Sequence, residues 1–141
     1  MEKYDVRLEY TQGLGKLADV WVGGHLLTVC DAISESSQRV MPGVLTEVEF
    51  VYNTYEHIDW QQAIVDNPGH RVTLDHEKSW SYVGYGRILQ IQPVVVDFGL
   101  IRMVAGDWTD DRNLIGKSVR VPIDRLEIRH ANRPDFPAAM R

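Results

Sequence analysis

Residues 82–104 read YVGYGRILQIQPVVVDFGLIRMV. The run is rich in β-branched and aromatic side chains. It carries two glycines spaced G-x-G, one proline, and only three charged side chains, Arg87, Asp97 and Arg102. That composition suits pleated strands that curve, not a helix. Gly84 and Gly86 within such a run point to a bulge or strong coiling, as at a barrel corner, and Pro93 places a turn or an edge. The stretch therefore predicts a strand over 81–92, a turn at Pro93 and a return strand over 94–104.

The flanking sequence repeats the theme. Val6, Leu8 and Tyr10 alternate with Arg7 and Glu9, which predicts a half-buried first strand. Ala18, Val20 and Val22 alternate up to Gly23-Gly24, a pair able to supply the positive φ angles of a tight hairpin, and HLLTVCDA (25–32) reads as the returning strand. Val48, Phe50 and Tyr52 face one way in the next strand, with Glu47, Glu49 and Val51 opposite. Asp59 with Gln62 three residues later resembles a capping box ahead of Trp60, Ala63 and Ile64, which predicts one connector helix of about two turns over 60–66. A further strand is expected over 70–76. In 117–128 the phase slips, because Val119, Val121 and Ile123 are odd-numbered while Leu126 and Ile128 are even. An extra residue near Asp124 accounts for the slip.

The fold expectation is a mainly β protein, a small antiparallel, closed or partly open barrel with one short connector helix. An OB-like barrel and a sandwich are the variants of that class. With 141 residues, 44% of them hydrophobic, one self-sufficient domain is expected over 1–129, followed by a C-terminal tail over 130–141. The single cysteine excludes an internal disulfide, and MEKYDVRLEY has no apolar signal core, so a cytoplasmic protein is expected.

Motifs that carry chemistry are weak. Asp75-His76-Glu77 puts three ligand types together, but His70 and His76 are roughly 20 Å apart along one strand. Asp107, Asp110 and Asp111 lack the alternating spacing of a calcium loop. Asp97-Phe98-Gly99 matches the magnesium tripeptide of protein kinases without the other kinase motifs. Cys30 lies in an apolar strand, and no signature pairs it with His25 as a base. No catalytic residue, cofactor or metal is expected.

The aromatic and cationic residues are the better candidates. Trp21 faces away from the apolar side of its strand, while Tyr55, Trp80, Tyr85 and Trp108 lie near turns. With Arg120, Arg125 and Arg129 they form the expected binding residues. The net charge is -5, and it is uneven: residues 1–70 hold four basic and eleven acidic side chains, residues 71–141 eleven and nine. An excess of acid disfavours a phosphate backbone as partner. The reading is a binding module that engages a protein partner or self-associates as a dimer. Its rivals are an oligonucleotide-binding OB-like barrel that uses the aromatics and arginines, and a small-molecule pocket or weak enzyme in the barrel mouth. No membrane association is expected.

Overall fold

Gly23 and Gly24, at φ 52° and 81°, turn the chain between β2 (Leu17–Val22) and β3 (His25–Asp31), as the alternation on either side of them predicts. The computed structural model describes residues 2–67 and 69–131. β1 (Tyr4–Thr11), β2, β3, β4 (Gly43–Asn53) and β10 (Arg125–His130) form a closed barrel in the order β1-β2-β3-β10-β4. β3 and β10 run parallel, and the other neighbouring pairs are antiparallel. This is the arrangement of an OB-type Greek-key barrel with a long insertion between its last two strands. The barrel reading holds, and the sandwich does not.

The insertion builds a second, curled sheet from β5 (Thr73–Lys78), β6 (Ser81–Gln90), β7 (Val95–Asp97), β8 (Arg102–Val104) and β9 (Ser118–Ile123). β6 is its spine, pairing with β5 and β7 along one edge and with β9 along the other. Gly84 and Gly86 let it curl. A Cβ on Gly84 would lie 2.5 Å from Phe98 Cε1, and one on Gly86 would lie 2.4 Å from Val96 Cγ1. The concave side is thus filled by its own neighbours. Buried side chains of both sheets, including Phe50, Leu126 and Ile128 from the barrel and Ile88, Phe98 and Met103 from the insertion, form one continuous cluster.

Four local expectations need correction. In β1 the register slips between Leu8 and Tyr10, so Val6 and Leu8 point inward while Tyr10 turns out and Thr11 is buried in its place. The helix, α1 (Trp60–Ala63), has one turn rather than two: Asp59 caps it by accepting from the Gln61 and Gln62 amides, but Ile64 is already extended and bridges to Val119 of β9. The return strand over 94–104 is two short strands, because Gly99, at φ 90°, reverses the chain between β7 and β8. The strand expected over 70–76 begins at Thr73 and runs to Lys78. The turn at Pro93 is present, with a cis Gln92–Pro93 bond. The phase slip at Asp124 is where the chain leaves the second sheet and enters the barrel. Its amide donates to the Asn53 carbonyl at 3.0 Å, and its backbone carbonyl accepts from Ser81 Oγ. His130 still belongs to β10, and the remainder of the expected tail, from residue 132 on, lies outside the described residues. Among the described residues no helix is long and apolar enough to cross a membrane.

Candidate functional site

The strand edges decide where this protein has unused binding capacity. β10 reaches β3 only at Cys30 and Asp31, so β3 from His25 to Val29 has β2 as its sole strand partner among the described residues. Among the described residues β5 pairs only with β6. Between the β3 edge and the face of the β5–β6 pair that carries Leu74, His76 and Tyr82 lies a groove of about 550 Å³. Leu26 and His25 stand on one wall, Val72 and Leu74 on the other, and Leu100 of the β7–β8 turn at one end. Its floor is Tyr82, whose hydroxyl donates to the Thr28 carbonyl and accepts from the Thr28 amide, both at 2.9 Å. The side chain thereby satisfies one residue of the β3 edge as a strand would. Burial pushes the Tyr82 hydroxyl up to about 12, the Thr28 amide notwithstanding, so it is neutral and can make both bonds at neutral pH. Leu26 is 48% exposed and Val72 37%, which leaves apolar surface open beside unpaired backbone.

The groove uses none of the eight expected binding residues directly, although Trp21 is the cross-strand neighbour of Leu26. Trp21 lies on the outer barrel face, where its indole N–H donates to Glu9 at 2.8 Å and Arg7 covers its ring at 5.5 Å. Three of the others meet elsewhere. Tyr55, 81% exposed, and Arg120 line a second cavity of about 500 Å³ beside Asp124, and Arg120 Nε donates to the Tyr85 hydroxyl at 3.4 Å. Arg71 lies over the other side of this cluster, 5.2 Å from the Tyr85 ring centre, held by Asp75 at 2.8 and 3.0 Å. Trp80 sits in the β5–β6 turn, where its carbonyl accepts from the Leu126 amide and ties the second sheet to the barrel. Arg125 reaches Glu127 at 3.7 Å, and Arg129 is paired across the β4–β10 ladder with Glu49 at 2.6 Å. These two arginines are committed to intramolecular pairs. Trp108 stacks on Trp60, with ring centres 4.5 Å apart and planes 5° from parallel. The expected residues are therefore spread over several faces rather than gathered at one mouth.

Sequence reasoning missed Leu26, Val72 and Tyr82, because a groove along a strand edge depends on which strands fail to pair. The mixed pattern HLLTV does hold the signal, since Leu26 breaks the inside-outside alternation with a second leucine. The titratable candidates are occupied. His76 Nε2 contacts the Ser79 carbonyl at 2.8 Å, and its ring lies 5.0 Å from that of Tyr82. Burial, with Glu127 and Asp31 adding to it, pushes the Cys30 thiol up and keeps it protonated, which makes it a poor nucleophile. Among the described residues no three His, Cys, Asp or Glu side chains are placed to hold a metal ion.

A buried polar knot supports the barrel end remote from the groove. Asp31, 3% exposed, accepts from the Ile33 and Ser34 amides at 2.7 and 2.8 Å through Oδ1, and from the Thr11 and Ser34 hydroxyls at 2.5 and 2.6 Å through Oδ2. Thr11 and Ser34 in turn accept from the amides of Gly13 and Val40. One carboxylate thus organises two loops. Burial alone would raise it, but the hydroxyl and amide donors outweigh burial and hold it below the usual carboxylate range.

Comparison with known proteins adds nothing to this geometry: no family, no curated protein and no solved structure matches the chain.

Proposed function

We propose that this protein is a cytosolic binding module that takes an extended segment of another polypeptide into the groove between β3 and β5. The observation that carries the reading is the β3 edge set against the Leu74–His76–Tyr82 face of the β5–β6 pair, with exposed apolar side chains, Leu26 and Val72, beside it. With Thr28 already satisfied by Tyr82, an extended segment would gain backbone hydrogen bonds on the β3 edge around Leu26 for affinity and apolar contacts with Leu26, Val72 and Leu74 for selectivity. No lysine or arginine is among the described residues that line the groove, and the barrel strands beside it carry Asp19 and Glu9, which suits polypeptide better than a phosphate backbone. The incoming segment belongs to a different protein or to a second copy of this chain.

The test is selection of short random peptides against the full chain, followed by mapping of binders through backbone amide shifts. Leu26→Glu and Val72→Glu change exposed positions and leave the core intact. Binders are expected to shift the amides of 25–28 and 72–76 and to lose measurable affinity to Leu26→Glu. Binders that map to another face, or that bind Leu26→Glu equally well, would reject the reading. Light scattering separates the two sources of the segment, because a dimer dispersed by Leu26→Glu identifies a second copy as the occupant.

The oligonucleotide alternative keeps one specific observation, the Tyr55–Arg120–Tyr85 cluster, in which aromatic rings adjoin a guanidinium. Salt-sensitive binding of single-stranded DNA or RNA that is lost on Arg120→Glu would favour it.

A further inference from the structure

On a different face, α1 and the loop after β8 bring Trp60 and Trp108 into a parallel stack. Both rings line a cavity of about 490 Å³ with Ile58, Ile64, Asp59 and Asp111. Among the described residues no basic side chain lines it. Asp59 caps α1, and Asp111 caps the 3-10 turn over Arg112–Leu114, each through Oδ1. The second oxygen of each carboxylate has no partner among the described residues, and neither residue takes part in an ion pair there. Trp108 also walls an adjoining concavity that carries Asp107 and Asp110. Its indole N–H is shielded from solvent and finds no acceptor among the described residues. This cavity shares no residue with the β3–β5 groove.

We propose that the Trp60–Trp108 cavity receives an organic cation, a guanidinium or alkylammonium group carried on an arginine or lysine side chain of a polypeptide. An outer face of the stacked indole pair attracts a cation with an apolar stem, and the free carboxylate oxygens at Asp59 and Asp111 complement its charge. A neutral apolar ligand would meet the same rings but leave both carboxylates uncompensated, and an anion would be repelled by four aspartates around one tryptophan. The net charge of -5 adds a favourable field for a basic partner. This site stands independently of the strand-edge groove and would hold even if that groove were empty of function.

The experiment titrates the full chain with Nα-acetyl-arginine amide, Nα-acetyl-trimethyllysine amide and, as the neutral counterpart, Nα-acetyl-norleucine amide. The four indole N–H resonances, assigned by single Trp→Phe variants, report the site. Saturable shifts confined to Trp60 and Trp108 are expected with one or both cations, at millimolar dissociation constants and weakening as salt is raised. The relative strength of the two cations tells guanidinium from ammonium. The double variant Asp59→Asn, Asp111→Asn removes both charges while keeping side chains that cap equally well, so the fold is retained. It should weaken cation binding by about tenfold, one decade for about 1.4 kcal/mol of lost attraction. Shifts of equal size with the norleucine compound, unchanged affinity in the double variant, or no saturable shift at either indole would overturn the proposal.

Discussion

Replacing Asp31 by asparagine keeps the shape of the side chain and removes its charge. The two backbone amides that Oδ1 accepts, from Ile33 and Ser34, can be accepted by the new amide oxygen. The two hydroxyls cannot keep their present roles, because Thr11 Oγ1 and Ser34 Oγ both donate to Oδ2, where asparagine has an N–H₂ group. Hydrogen bonds to a charged group contribute about 1.5–3 kcal/mol each, and rotating both hydroxyls to accept recovers part of that, so a loss of about 2–4 kcal/mol is expected. At roughly 3–5 °C per kcal/mol for a chain of this size, the melting temperature should fall by about 6–20 °C. The acid dependence gives a second reading of the same bonds. The folded carboxyl sits below its unfolded value of about 3.9, so its contribution is fully present above that pH and disappears as pH falls through the folded value. Urea melts of both proteins between pH 7 and pH 3 should show the gap between wild type and Asp31→Asn narrowing only below about pH 4. A variant within about 0.5 kcal/mol of wild type at pH 7, the range of an ordinary surface change, would refute the reasoning. So would a gap that stays constant down to pH 3.

Two other perturbations follow from the packing. Gly86→Ala would drive a methyl against Val96 and, at 2.8 Å, the Asp97 carbonyl, so a loss of about 2–3 kcal/mol by chemical denaturation is expected, whereas a neutral result would mean β6 can flatten. Tyr82 and Tyr52 are both raised to about 12 by burial, against an unfolded value of about 10, so the stability they contribute is intact below pH 10 and lost as pH rises towards 12. Tyrosinate absorbance recorded alongside circular dichroism should show their ionisation arriving with unfolding, and early ionisation of all tyrosines in a folded protein would contradict it.

The sequence carried the barrel better than it carried the site, for a physical reason. Alternation at Ala18, Val20, Val22 and at Val119, Val121, Ile123 reports a buried face, and a buried face is a local property of a strand. Even the phase slip at Asp124 was legible, because moving from one sheet to another changes which side is inside. The split of 94–104 was not, since β7 and β8 are both apolar and only Gly99 marks the reversal. The aromatics misled in part because exposure of a tryptophan depends on a distant neighbour: Trp108 is covered by Trp60, a contact that no spacing along the chain announces. Arg125 and Arg129 look free in sequence and are taken by Glu127 and Glu49. The groove was least legible of all, because it exists where pairing stops.

β10 has a consequence for how the chain reaches this structure. β3 and β4 do not pair with each other; the last strand lies between them and bonds to both. Until it arrives, the first four strands can form only an open sheet in the order β3-β2-β1-β4, with a bare edge at either side. Ile128 must find Asp31, 97 positions earlier, before the barrel closes. Contacts of that span are entropically late, so folding should be slow for a protein of this size, and during synthesis the half-made barrel presents two adhesive margins to its neighbours. A chain cut before Arg125 would be held in that state permanently and should aggregate rather than fold into a smaller barrel.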